Sequence, residues 1–131
     1  MDMFHDEKDG RIVLCGANAY QQKYYFNQRF DRIPERIREE LRIICVLFTE
    51  EVGGSLFLVF DKDGSVLLET EAAEDDFYYD EISSGLLIGE IRRNRQELFE
   101  GLRMYYKVFI LGEDAAEDGE DGIDGEDGIE G

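Results

Sequence analysis

The side chains with the best claim to chemistry are two cysteines, one histidine and a run of carboxylates. Cys15 and Cys45 stand far apart in sequence, and no C-x-x-C spacing occurs. A thiol becomes a nucleophile only beside a base or cation that favours its thiolate. The single histidine, His5, lies in the first ten residues, and nothing near either cysteine in sequence activates it. The expectation is two buried thiols in a reducing cytosol, with one disulfide between them as the alternative. Asp61-Lys-Asp-Gly-Ser65 opens like a calcium loop. The sixth and twelfth places of such a loop need glycine and a carboxylate, and here they hold Val66 and Ala72. A hairpin turn fits the stretch better.

Glu69, Glu71, Glu74, Asp75, Asp76, Asp80 and Glu81 crowd a short segment. Two of them could pair for acid–base work or hold a hard cation. No histidine is near to support a transition-metal site, and a solvated strand face followed by a helix start accounts for the cluster. We therefore assign no catalytic, cofactor-binding or metal-ligating residue, and expect no enzyme. Arg92, Arg93 and Arg95, with Arg103 beyond, are the candidate interaction surface. Arg95 falls in an apolar seam, where its stem can lie along apolar surface or its charge can set the register of paired helices. Tyr24, Phe26, Phe30, Tyr78, Tyr79, Tyr105, Tyr106 and Phe109 read as core aromatics. Among them Tyr24, Phe26, Tyr79 and Tyr105 are the candidate lining of a pocket.

These residues must be positioned by strands and helices that the sequence punctuates clearly. Residues 1–10 read as polar and frayed. Arg11 to Cys15 is an apolar strand that Gly16-Ala-Asn18 breaks, and Tyr20 to Phe30 alternates as a second strand. Pro34 opens a helix with Ile37, Leu41, Ile44 and Phe48 as its apolar stripe, and Gly53-Gly54 ends it. Ser55 to Phe60 and Ser65 to Glu71 flank the Asp63-Gly64 turn as a hairpin. A last helix from about Asp80 to Leu111 carries Ile88, Ile91, Leu98, Leu102, Tyr105 and Phe109 at three-and-four steps. Unbroken, it would run about 46 Å at 1.5 Å per residue, well beyond the roughly 13 Å radius of gyration of such a domain. It must overhang or bend, with Gly85, Gly89 and Gly101 as weak points and Gly112 as a left-handed cap.

Strand, strand, helix, strand, strand, helix predicts a two-layer α+β domain over 1–112: a four-stranded, mainly antiparallel sheet with two helices on one face. Residues 113–131 carry ten acidic and no basic side chains, so −10 of the net charge of −18 lies there and −8 remains in the domain. Glycine at every third position without proline reads as a disordered acidic tail. So acidic a chain repels phosphate backbones, so no nucleic-acid partner is expected. The N-terminus lacks the basic start and apolar core of a signal peptide, and the longest apolar run, Ile43 to Phe48, is too short for a bilayer. A cytoplasmic protein with no membrane partner is expected.

Val13-Leu-Cys-Gly-Ala-Asn18, Gln22-Lys-Tyr-Tyr-Phe-Asn27 and Tyr105-Tyr-Lys-Val-Phe109 together resemble an uncharacterised family of small bacterial proteins, a domain of unknown function, over about residues 1–112. The resemblance implies no activity, ligand or partner. The residues themselves point to a non-enzymatic protein–protein interaction or scaffold domain, homodimeric through the C-terminal helix. The alternatives are a small-ligand-binding regulatory domain and an acidic decoy or inhibitor of a basic or nucleic-acid-binding partner.

Overall fold

The computed structural model describes residues 10–112. The expected frayed N-terminus and acidic tail lie outside the described residues. Four strands, β1 (Ile12–Asn18), β2 (Lys23–Phe26), β3 (Ser55–Phe60) and β4 (Val66–Glu71), form one antiparallel sheet in the order β2-β1-β3-β4. Three helices, α1 (Glu35–Val52), α2 (Glu81–Asn94) and α3 (Gln96–Tyr106), lie over one face, and five residues in π geometry, Lys107–Leu111, complete the end of α3. The α+β class and the four-stranded antiparallel sheet match expectation, while the two-helix count does not.

β1 runs through Gly16 instead of stopping there. Gly16 pairs with both Tyr25 and Phe57, and the Phe57 ring occupies the space a Cβ at Gly16 would need, with Cδ1 only 2.6 Å away. The glycine is thus a packing residue inside a strand. The register shifts between Val13 and Cys15, so Leu14 bulges and Ile12, Leu14, Cys15 and Ala17 all reach the core. Asn27 stitches this bulge. Its backbone N–H donates to the Leu14 carbonyl at 2.9 Å, and its side-chain amide to the Val13 carbonyl at 2.8 Å. Its side-chain oxygen accepts from Arg29 N–H at 3.0 Å and so opens a single 3-10 turn, Gln28–Phe30. That turn ends the second strand well short of the Phe30 predicted, because Asn27 satisfies the β1 bulge instead of continuing the ladder.

Pro34 stands just outside α1 in extended geometry, and its carbonyl accepts from Ile37 and Arg38. Leu41, Ile44, Cys45, Phe48, Thr49 and Val52 are the buried face of α1, a seam that packs on β1 and β3. Each fully buried Phe or Leu contributes roughly 1.5–3 kcal/mol of transfer free energy. The β3–β4 turn has the three-residue form: Gly64 N–H donates to Asp61 O at 2.9 Å, Asp61 N–H to Ser65 O at 2.8 Å, and Gly64 takes φ +90°.

The last helix is neither continuous nor bent at a glycine. It breaks at Arg95 (φ −125°, ψ 31°), which ends α2 and starts α3. The break loses little backbone bonding, since Arg95 N–H still donates to Ile91 O at 3.0 Å and Phe99 N–H to Arg95 O at 3.1 Å. It lets Ile88 and Ile91 rest against the core while Leu98, Leu102 and Tyr106 sink into it. The rings of Phe30, Phe60 and Tyr106 form a chain, with centroids 5.2 Å and 4.9 Å apart. Gly112 is right-handed helical (φ −63°), so the left-handed cap expected there does not form.

Candidate interaction surface

Beyond Glu71 the chain leaves the sheet and crosses to α2 through residues 72–80. Tyr20 fixes the start of this crossing. Its hydroxyl donates to Asp76 Oδ2 at 2.6 Å and accepts from Ala73 N–H at 2.9 Å. The carboxylate on that hydroxyl raises the Tyr20 pKa above the ordinary phenol value. Asp76 Oδ1 accepts from Tyr78 N–H at 3.1 Å. Tyr79 fixes the end: its ring lies against Gly54, and its hydroxyl donates to Ser84 Oγ at 2.8 Å. Asp80 caps α2, with Oδ1 accepting from Ile82 and Ser83 N–H at 3.1 Å and Oδ2 from the Ser83 hydroxyl at 2.7 Å. Those donors, the Ser83 hydroxyl first, hold its carboxyl below the usual range.

Anchored at both ends, the crossing pushes its middle outward. Phe77 is 89% exposed and Tyr78 96%, followed on α2 by Ile82 at 76% and Leu86 at 70%. Phe77, Tyr78 and Ile82 border an open cleft of about 860 Å³, lined also by Ala72, Glu74 and Asp80 among others. The surrounding charge has one sign. Residues 63–91 hold nine acidic and no basic side chains. Among the described residues the ion pairs are Arg11–Glu69, Arg42–Glu39 and Arg95–Glu40, so the crossing keeps its negative field. A smaller cleft of about 190 Å³ lies between α1 and α2, with Leu47, Leu87 and Ile91 as apolar lining and Glu51 and Glu90 beside them.

The predicted arginine surface is distributed among separate contacts. Arg92 donates to the Val66 carbonyl at 3.2 Å, Arg95 pairs with Glu40 at 2.5 Å, and the Arg103 stem packs on the Gly64 turn. Arg93 is exposed beside Gly89. The four predicted pocket aromatics also part company. Tyr24 and Phe26 face the core from β2, Tyr79 covers Gly54, and Tyr105 packs on Phe30 with centroids 6.2 Å apart. Tyr78, read from sequence as core, is in water. Phe77 and Tyr78 were missed as a surface, although two signals marked it: aromatics set among carboxylates, and the long stretch without a basic residue.

Cys15 and Cys45 are free and buried, with their sulfurs 4.0 Å apart between β1 and α1. The Cys15 sulfur in hydrogen-bond contact, and then burial, push the Cys45 pKa up, opposite to what a nucleophile needs. The Tyr24 hydroxyl is buried with no hydrogen-bond partner, and its pKa is raised by burial and by the neighbouring Cys15. Among the described residues no three His, Cys, Asp or Glu side chains gather where they could hold a metal ion. No helix among them is long and apolar enough to cross a membrane.

Fold and surface together define a two-layer α+β domain with helices on one face of the sheet and an acidic, aromatic crossing at one end. Residues 11–114 match the model of a family described as "Family of unknown function (DUF6145)", and the chain belongs to that family. No curated protein matches the chain, and no solved structure does.

Proposed function

We propose that this domain is a non-enzymatic protein-interaction module of the cytosol, with its contact surface on the 72–80 crossing and the first two turns of α2. The observation that carries the reading is the exposure of Phe77, Tyr78, Ile82 and Leu86 in one stretch of chain whose backbone is held at both ends. Scattered single apolar residues on a surface mean little, but a contiguous strip in a polar surround marks a site that another molecule covers. Aromatic anchors on a preordered backbone cost little entropy on binding. Both thiols are buried. The test is retention of a specific partner on the immobilised chain, compared with the Phe77→Ser/Tyr78→Ser variant and with a variant lacking residues 113–131. Equal retention on the wild type and on the Phe77→Ser/Tyr78→Ser variant removes this surface.

A homodimer is the second reading, favoured by Met104, Val108 and Leu111, which stay exposed at steps of four and three near the end of α3. Light scattering across a concentration range tests it. A constant monomer mass rejects it, and a dimer that Val108→Glu splits supports it.

A further inference from the structure

Resting on the interaction reading above, we propose that the occupant of the Phe77–Leu86 strip is a cationic amphipathic segment of a partner protein, one that presents arginine or lysine beside apolar side chains. The apolar strip provides the contact and the charge around it selects the occupant. Residues 63–91 contain nine acidic and no basic residues. Four of the carboxylates have structural duties: Asp63 accepts from Ser65 N–H, Glu69 pairs with Arg11, Asp76 holds Tyr20 and the Tyr78 N–H, and Asp80 caps α2. Glu74, Asp75 and Glu81 are exposed and belong to none of the ion pairs among the described residues. They flank Phe77 and Tyr78 on both sides in sequence. The positive pole of α2, which would otherwise repel a cation, is offset by Asp80 and Glu81.

A guanidinium or ammonium placed there meets two exposed aromatic rings and unpaired carboxylates together. Cation–π attraction and ion pairing then act on one group, while Ile82 and Leu86 take up the apolar neighbours. An acidic segment would be repelled from the same place. A neutral apolar segment would leave the carboxylates uncompensated and would lose the steering that a one-signed field gives.

The test uses the full chain and three labelled twelve-residue peptides: one alternating arginine and leucine, one with glutamate for each arginine, and one of arginine and serine. Anisotropy titrations at 50 and 300 mM salt read the affinity. The arginine–leucine peptide is expected to bind at least tenfold tighter than the other two, and at least fivefold weaker at the higher salt. Phe77→Ser/Tyr78→Ser, which leaves the net charge unchanged, is expected to weaken it at least tenfold, as is Glu74→Gln/Asp75→Gln/Glu81→Gln. Equal binding of that peptide to the wild type and to Phe77→Ser/Tyr78→Ser means diffuse attraction to an acidic chain, and overturns the proposal. So does equal or tighter binding of the glutamate peptide. If the wild type is a dimer that Phe77→Ser/Tyr78→Ser converts to a monomer, the occupant is a second copy and the proposal fails. If no peptide binds but the same variant loses a specific partner, the cationic occupant is wrong while the interaction reading stands.

Discussion

The Arg95 guanidinium meets the Glu40 carboxylate at 2.5 Å, which ties the break between α2 and α3 to the flank of α1. A charged residue in an apolar seam is thereby satisfied inside its own chain. About a third of each side chain remains in contact with solvent, so the pair is screened and its coupling energy is expected to be about 0.2–1 kcal/mol. A double-mutant cycle with Glu40→Gln and Arg95→Gln measures it. Arg95→Leu should lower the midpoint of thermal unfolding slightly and leave the solution mass unchanged. A rise in self-association on Arg95→Leu would show instead that the seam faces another copy.

Gly16 predicts a larger cost. A Cβ there would lie 2.6 Å from Phe57 Cδ1 and 3.0 Å from the Leu56 carbonyl oxygen. The ring can turn, but the carbonyl belongs to the neighbouring strand. Gly16→Ala is therefore expected to destabilise by about 1–3 kcal/mol, measured by urea unfolding. Adding Phe57→Ala should recover part of the loss relative to Phe57→Ala alone. Full independence of the two substitutions would mean that the ring does not lie over Gly16.

The same glycine shows where sequence reading stopped. Glycine weakens a strand by propensity, so Gly16 read as a break. Only the pairing of β1 with β3 places Phe57 opposite and gives the missing side chain a purpose. The sheet, the β3–β4 turn and the stripe of α1 were legible, because period-two alternation, Asp-Gly and an apolar three-four rhythm are local signals. The break at Arg95 was not, since the partner that holds Arg95 there, Glu40, lies more than fifty residues away. Of the candidate site, the acidic run was legible and its partners were not. Tyr78 and Tyr79 are identical neighbours in the sequence, yet one covers Gly54 and the other faces water. That difference is set by the Tyr79–Ser84 and Tyr20–Asp76 contacts.

The buried thiols should be unreactive while the chain is folded. Both sulfurs lie between β1 and α1, and the pKa of Cys45 is raised by its contact with Cys15 and by burial. In native buffer at pH 8, a thiol-specific aromatic disulfide reagent is expected to label neither cysteine, and to label both once the chain is unfolded in guanidinium. Tyr24→Phe should be neutral or stabilising by up to about 1 kcal/mol, because it removes a buried hydroxyl that has no partner. Fast labelling of the native protein would place at least one thiol in reach of solvent.

Acid should loosen α2 through its cap. The Asp80 carboxyl sits below its ordinary value of 3.8 because the Ser83 hydroxyl, followed by the backbone N–H groups of the first turn, bonds its charged form. A depressed folded-state pKa means that the cap's stabilisation is complete above the unfolded value and is lost as pH falls through the folded one. Asp80→Ala should lower the unfolding midpoint at neutral pH, and the gap to wild type should close below about pH 4. Asp63, lowered mainly by the Ser65 N–H, acts in the same direction on the β3–β4 turn. Circular dichroism melts from pH 2.5 to 7 on both chains give the comparison. A gap that stays constant with pH would mean that the cap does not depend on the charge.

Phe77 and Tyr78 separate surface from core most directly. A ring that supports the fold costs about 3–5 kcal/mol when truncated to alanine, whereas a side chain in water costs within about 0.5 kcal/mol. Phe77→Ser and Tyr78→Ser are expected to fall in the second class, singly and together, since the crossing is held by Tyr20, Tyr79 and Asp80 without them. Tyr79→Phe should cost more than either, because it removes the donor to Ser84, a buried hydroxyl. Urea unfolding of the wild type and these four variants gives this order. If Phe77→Ser alone costs more than Tyr79→Phe, the aromatic at 77 is held by the fold, and it leaves the surface proposed for a partner.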